Sequence, residues 1–98
     1  MIVLRKLLHF QWDKGNKDKN YAKHTVNVEE CEEIFFDDNK KILKDSLHSG
    51  REVRYIIIGM TKERRLLFIV FTIRGDKIRI ISARDLNKKE RQLYEKKV

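Results

Sequence analysis

The sequence predicts an α+β fold: an antiparallel sheet of four or five strands, with two N-terminal helices and one C-terminal helix. Two observations support this prediction. From residue 40 onward the apolar side chains recur with the two-residue period of strands. Asn27 and Asn87 are each followed three residues later by a glutamate, a pattern that resembles the capping box at the start of a helix. Helices and strands that are separated along the chain in this way favour an α+β arrangement.

The N-terminal part of the chain predicts one short strand and one polar helix. Apolar and polar residues alternate over residues 8–12, which is typical of a half-buried strand. Asp13 is a suitable N-cap for a helix that runs to about His24. This helix has almost no apolar stripe, so we expect it to lie on the surface or to serve the function.

The segment after Asn27 predicts a second, amphipathic helix. Val28, Cys31, Ile34 and Phe35 recur at helical spacing, with glutamates between them. Cys31 lies on this apolar stripe, and we expect it to be a small core residue and not a nucleophile. It is the only cysteine, so no disulfide can form within the chain.

The strand periodicity continues through the second half of the chain. We expect strands near Lys40–Lys44, Val53–Ile58, Leu66–Ile73 and Lys77–Ala83. The third strand is apolar at consecutive positions, which predicts a central strand covered on both faces. The junction between the last two strands contains Gly75, which suits the positive φ of a tight hairpin turn.

Composition and charge narrow the class of protein. Ninety-eight residues fit one domain, 1–98. The net charge is +8, with net charges of +4 on residues 1–28, −4 on 29–50 and +8 on 51–98. This balance favours a polyanionic partner such as nucleic acid or an acidic protein. No signal peptide or membrane-spanning stretch is predicted, so we expect a cytoplasmic protein with no membrane partner.

Two blocks of sequence resemble the BrnT family of toxins. The N-terminal block is Phe10-Gln11-Trp12-Asp13, Asn20, Lys23-His24, Val26, Glu30 and Phe35-Phe36-Asp37. The C-terminal block is Arg65-Leu66-Leu67 through Thr72, Arg74-Gly75, the run from Ile78 to Arg84, and Glu90-Arg91 to Tyr94. They occur in the family's order and spacing and cover nearly the whole chain after residue 9.

This resemblance implies a fold and a function. The fold would be RelE-like, similar to microbial ribonucleases. The function would be that of the toxin of a type II toxin–antitoxin system, an endoribonuclease that arrests growth. The resemblance also implies a BrnA-type antitoxin, through which alone the toxin would be connected with operator DNA.

The chain departs from the family pattern at two positions. Asn16 stands where a lysine is common, which puts one candidate catalytic cation in doubt. Thr25 stands where a glycine commonly follows the histidine, although glycine ends a helix more easily than a β-branched residue does.

The predicted chemistry is RNA cleavage without a metal ion or another cofactor. Such cleavage needs a proton acceptor for the 2′-hydroxyl and cationic groups that stabilise the phosphorane. His24 is the leading acid–base candidate because histidine is the residue type best suited to proton transfer near neutral pH, and Lys23 adjoins it. The alternative for His24, of about equal weight, is a favourable charge at a helix C-terminus.

Arg79 and Arg84 are the remaining catalytic candidates. Arg79 alternates with isoleucines and would bind phosphate, or else form an ion pair with a helix carboxylate such as Glu30 or Glu90. It is expected to share a sheet face with Ala83. Arg84 is expected just beyond the strand end, where a functional role is favoured.

Four further residues are candidates for RNA contacts: Arg65, Asn20, Lys17 and Tyr94. Arg65 would meet phosphate or solvent at the start of the central strand. Tyr94 would stack on a base, although packing on the sheet is somewhat favoured. Trp12 is expected to anchor the N-terminal strand. We expect His24, Lys23, Arg65, Arg79 and Arg84 to line one concave surface.

Two other functions agree with the same charge pattern. The chain could be a non-catalytic nucleic-acid-binding module, or a degenerate toxin that only binds antitoxin and operator, an alternative that Asn16 supports. An antitoxin is expected to cover the basic surface with acidic residues and an apolar anchor.

Overall fold

A computed structural model describes residues 9–12, 24–45, 50 and 52–96 of the chain. The elements in chain order are β1 (His9–Gln11), α1 (Val28–Glu33), a 3-10 helix (Ile34–Phe36), β2 (Lys41–Asp45), β3 (Arg54–Met60), β4 (Leu66–Arg74), β5 (Lys77–Asp85) and α2 (Lys88–Glu95). In these ranges neither helix is long and apolar enough to cross a membrane. Most of the predicted first helix lies outside the described residues, but His24 is helical and Thr25 is not.

The five strands form one sheet in the order β1-β5-β4-β3-β2. Strands β2 to β5 pair antiparallel, as predicted, but β1 pairs with β5 in parallel. The prediction of an antiparallel sheet is therefore wrong at this edge. A parallel pair requires a long connection between its strands, and alternation along a strand does not indicate the direction of its neighbour.

The four later strands were predicted within a few residues of their bounds, and the tight turn between β4 and β5 is confirmed, with φ of +62° at Gly75. Strand β4 is central, also as predicted. Its Leu67, Ile69 and Phe71 are buried, whereas Leu66, Phe68 and Val70 on the other face are only half-buried. The second face is thus covered only in part, with Thr72 buried on it.

The core lies between the sheet and α1, and we call this side of the sheet the α1 face. Both predicted capping boxes are present, at Asn27 with Glu30 and at Asn87 with Glu90. Phe35 packs edge-to-face against Phe10 and Phe71, with ring centroids 5.2 Å apart in each pair. Trp12 packs against this core, which confirms that it anchors β1.

Cys31 is 1% exposed and belongs to the core, as predicted. Burial, assisted by the negative charges of Glu30 and Glu32, raises the pKa of its thiol to about 12. At neutral pH the side chain is therefore a neutral thiol and a poor nucleophile.

A β-bulge in β5 changes which residues share a face. Val70 pairs with Ser82 and Phe71 pairs with Ile80, so Ile81 is the extra residue. Ala83 consequently lies in the core on the α1 face, whereas Arg79 pairs with Thr72 on the second face. The expectation that Arg79 shares a face with Ala83 is wrong, because a bulge reverses the alternation beyond it.

Candidate nucleic-acid site

Arg65 holds three segments of the chain together at one end of the sheet. Its Nε and Nη2 donate to the carboxylate of Asp85, at 2.7 and 3.1 Å. Its Nη1 donates to Glu30 and to the carbonyl oxygen of Thr25, the latter at 2.9 Å. Its Nη2 also donates to the carbonyl oxygen of His24 at 2.9 Å. The guanidinium was expected to meet phosphate or solvent, but these contacts favour a structural role.

The same contacts bring His24 close to Asp85. The pKa of Asp85 is lowered, chiefly by its hydrogen bond with Arg65 and further by the charges of Arg65, His24 and Arg91. The hydrogen bonds of Arg65 to Asp85 and Glu30 in turn raise the arginine's pKa. Asp85 is therefore ionised at neutral pH, with an imidazole in its field.

Arg84 lies on the second face beside this group. Its Nη1 and Nη2 donate to the two carboxylate oxygens of Glu90, both at 2.8 Å, and its Cζ lies 3.9 Å from the centroid of the Phe68 ring. The hydrogen bond raises the pKa of Arg84 and lowers that of Glu90. The side chain of Arg84 remains 36% exposed.

Two expectations about Arg84 need correction. It lies within β5, which ends at Asp85, and not just beyond the strand. Glu90 was expected to be a possible ion-pair partner of Arg79, but it pairs with Arg84. Removal of the Arg84 side chain will therefore affect packing and stability and will not leave the fold untouched.

Arg79 lies apart from this group. It lies five positions before Arg84 in β5, or roughly 15 Å away at the usual rise of a strand. It is half-buried and contributes, with Arg54, to the positive field at Glu52, whose pKa is lowered chiefly by a hydrogen bond from Arg74. Arg79 thus shares a face of the sheet with Arg84 but lies further along the strand, and the expectation of one common surface stays a prediction.

Tyr94 lies on the inner side of α2. Its hydroxyl donates to Oδ2 of Asp37 at 2.6 Å, and its carbonyl oxygen accepts from the Lys41 ammonium at 3.3 Å. The same Asp37 oxygen accepts from the backbone N–H of Met60 at 2.8 Å. Of the two interpretations, these contacts favour packing on the sheet over base stacking.

Three candidate residues, Lys17, Asn20 and Lys23, lie outside the described residues, as does Asn16. His24 is half-buried, and His9 on β1 is exposed. Across residues 9–12, 24–45, 50 and 52–96, no group of three or more His, Cys, Asp or Glu side chains is arranged to hold a metal ion.

Sequence reasoning missed the carboxylates that order this end of the sheet. The sequence identifies Glu90 as a capping residue. Its ion pair with Arg84 joins α2 to β5, and no local sequence pattern indicates that pair. Asp85 gave no signal, because its role depends on Arg65, 20 positions earlier. Asp37 was noticed only within the family motif Phe35-Phe36-Asp37.

Comparison with known proteins identifies a family and a similar crystal structure. The model of the family described as "Ribonuclease toxin, BrnT, of type II toxin-antitoxin system" matches residues 12–90. A search of curated proteins found no match. The crystal structure of the Brucella abortus ribonuclease toxin BrnT is similar, with a TM-score of 0.63 and 19% sequence identity, over 82% of this chain and 97% of that chain.

The structural likeness independently supports the mixed α+β fold, and the family match covers more than three quarters of the sequence. Membership of a type II system implies an antitoxin partner, and the ribonuclease description implies an RNA substrate. This chain belongs to the BrnT family of ribonuclease toxins.

Proposed function

We propose that this chain is an endoribonuclease that cleaves RNA without a metal ion, arrests growth, and is neutralised by a BrnA-type antitoxin. The observation that carries the proposal is the group at the end of β5. Here Arg65 binds both the Asp85 carboxylate and the carbonyl oxygen of His24, and the adjacent Arg84 presents a partly exposed guanidinium. The two halves of the group lie on opposite faces of the sheet, so the RNA would cross the strand end.

In this mechanism His24 accepts the proton of the 2′-hydroxyl as that oxygen attacks the neighbouring phosphorus. Asp85 stabilises the imidazolium that forms, since an ionised carboxylate favours the protonated imidazole. Arg84 exchanges the carboxylate of Glu90 for the phosphorane, whose charge suits the planar fork of a guanidinium. The protonated His24, or Lys23 beside it, then donates a proton to the leaving 5′-oxygen.

The remaining candidates take lesser parts in the proposal. Arg79, on the same face as Arg84, would hold a phosphate further along the strand. Lys17 and Asn20 would contribute to RNA binding from the segment that precedes His24. For Arg65 and Tyr94 the hydrogen bonds described above favour a role in positioning the site.

The rest of the proposal follows the family. The fold would be RelE-like, and residues 1–98 would form one cytoplasmic domain. The toxin would reach operator DNA only through the antitoxin. These statements are supported by the family match and by the α+β sheet.

The test is cleavage of labelled RNA by the purified protein in excess EDTA. Shortened RNA in EDTA, with growth arrest on expression without antitoxin, is the expected result. Retardation of intact RNA would make the chain a binding module, and activity that is lost in EDTA and restored by Mg²⁺ would contradict the metal-independent mechanism.

Variants then test the individual residues. His24→Ala and Arg84→Gln should lower cleavage by about 100-fold or more, in the range of a lost acid–base or electrostatic contribution. Glu90→Gln is the matched control, because glutamine preserves the capping box but weakens the pair with Arg84. It should retain or increase activity. Equal losses for Arg84→Gln and Glu90→Gln would show that Arg84 acts only through the fold.

A further inference from the structure

Phe36 is an exposed aromatic side chain in the most acidic part of the chain. It ends the 3-10 helix, in which Ile34 and Phe35 turn into the core, and is itself 61% exposed. It is the most exposed large apolar residue that the structure describes. When a partner covers an aromatic ring that was exposed to water, the free energy of the system falls, and aromatic residues are enriched in protein interfaces.

Phe36 lines a shallow, open groove. The groove, of about 520 Å³, is lined by Phe36, Lys62 and three glutamates, Glu29, Glu32 and Glu33. A neighbouring groove of about 500 Å³ shares Glu29, Glu33 and Lys62. It adds Glu30 and Glu63 to its lining. Together the two grooves, which we call the Phe36 groove, carry five glutamates and one lysine in a chain whose net charge is +8.

Three of these carboxylates stabilise the fold, and two, Glu29 and Glu63, are exposed with no hydrogen-bond or ion-pair partner in the part of the chain that the structure describes. Glu32 accepts from Trp12 Nε1 at 2.8 Å, and Glu33 accepts from the backbone N–H of Lys62 at 3.1 Å. Glu30 is bound to Arg65.

We propose that the Phe36 groove docks a positively charged segment of the antitoxin, with one apolar side chain of that segment packed on Phe36. The inference rests on the proposed antitoxin partner and adds where and by what chemistry it binds. Carboxylates repel RNA phosphates but attract lysine and arginine. A basic segment with an apolar anchor therefore complements both the charge of the groove and its exposed ring. The antitoxin would carry this segment in addition to the acidic residues that are expected to cover the basic surface of the toxin.

The test measures binding and inhibition by the product of the gene adjacent to this one. Its affinity for the purified toxin, and the concentration that halves RNA cleavage, would be determined for Phe36→Ser and Glu29→Lys. Two controls match them: Leu43→Ser, an apolar residue 47% exposed on the second face of the sheet, and Glu95→Lys on α2.

We expect Phe36→Ser to weaken antitoxin binding at least 10-fold and Glu29→Lys to weaken it several-fold. The affinity of Glu29→Lys should also depend less on salt concentration than that of the wild type. The controls and the rate of RNA cleavage without antitoxin should be unchanged. If the wild-type toxin is bound and inhibited but neither groove variant alters affinity, the docking site is wrong while the partner stands.

Two other outcomes are distinct from these. If the adjacent gene product does not bind the wild-type toxin at all, the antitoxin assignment fails and the docking site fails with it. If the toxin alone dimerises and Phe36→Ser makes it monomeric without changing antitoxin affinity, a second copy of the chain occupies the groove, which overturns the proposal.

Discussion

The hydroxyl of Tyr94 donates a 2.6 Å hydrogen bond to Asp37, 57 positions earlier in the chain. This bond links α2 to the segment that follows the 3-10 helix. Since no residue of α2 is fully buried, polar contacts carry much of its attachment. Lys41 adds to them by donating from its ammonium to the last carbonyl oxygens of the helix, those of Leu93, Tyr94 and Lys96.

Tyr94→Phe should destabilise the protein by about 1.5 kcal/mol, the usual contribution of a hydrogen bond to a charged group. Urea denaturation measures the change. In a double-mutant cycle with Asp37→Ala the two effects should be clearly non-additive, because each change removes the same bond. Additive effects would mean that the bond contributes nothing.

The same pair predicts how stability depends on pH. Burial alone would raise the pKa of Asp37, but hydrogen bonds from Tyr94, Asn39 and Met60 and the charge of Lys40 lower it below its usual 3.8. Its contribution is present above pH 3.8 and should be lost as the pH falls through the lowered folded-state pKa.

At alkaline pH the direction of the effect is opposite, and stability falls as the pH rises. Burial and the hydrogen bond to Asp37 raise the pKa of Tyr94 from 10.0 to about 12. Its contribution is therefore complete below pH 10 and should be lost between pH 10 and about 12. Thermal melts of wild type and Tyr94→Phe across this range isolate it, since Cys31 titrates in both proteins. Parallel alkaline curves would contradict the prediction.

Thr25→Gly should stabilise the protein by roughly 1 kcal/mol. Thr25 has a φ of +53°, a conformation in which a β-branched residue is strained and glycine is not. Its hydroxyl donates to the His24 carbonyl at 2.7 Å, and glycine would lose this bond. Thr25→Ala is the control, because it loses the hydroxyl but keeps the strain. A melting temperature for Thr25→Gly at or below that of Thr25→Ala would refute the prediction.

Gly59→Ala should destabilise the protein by about 1–3 kcal/mol, as overpacking does. A Cβ at position 59 would lie 3.0 Å from Cβ of Ile34 and 3.1 Å from its carbonyl oxygen. Urea denaturation of Gly59→Ala and of the wild type measures the change, and equal free energies of unfolding would show that no clash exists.

Arg65→Met should destabilise the protein by about 2 kcal/mol or more, since it leaves Glu30 and Asp85 without their cation in a partly buried site. Arg74→Met is the matched control, because Arg74 also binds a carboxylate through two nitrogens, that of Glu52, but both side chains are almost half exposed. We expect its melting temperature to change little. Similar losses of stability in both variants would mean that the ion pairs of Arg65 contribute no more than an ordinary surface pair.

Much of this fold was predictable from local patterns. Both asparagine caps, the buried stripe of α1 and the Gly75 turn depend on residues within a few positions of one another, and the sequence shows them directly. The parallel pairing of β1 and the bulge at Ile81 depend on neighbouring strands. For that reason the face of Arg79 and its distance from Arg84 could not be read from alternation alone.

The candidate site was predicted less completely than the fold. Residue type alone marks His24 and Arg84 as suitable for RNA chemistry. It does not show that Arg65 and Tyr94 are held by Asp85 and Asp37, because those partners are 20 and 57 positions away. A cation's role depends on which carboxylate reaches it, and this is decided only when the chain folds.

The parallel edge of the sheet also sets an order on synthesis. His9–Gln11 are made well before β5, yet among the described residues they pair with residues 77–79 of β5, which also carries Arg79 and Arg84. A nascent chain cannot complete this pairing, or assemble the group around Asp85, until β5 has left the ribosome. Long-range pairings of this kind are slow to form. A chain that is still short of β5 therefore lacks both the edge of the sheet and the proposed site.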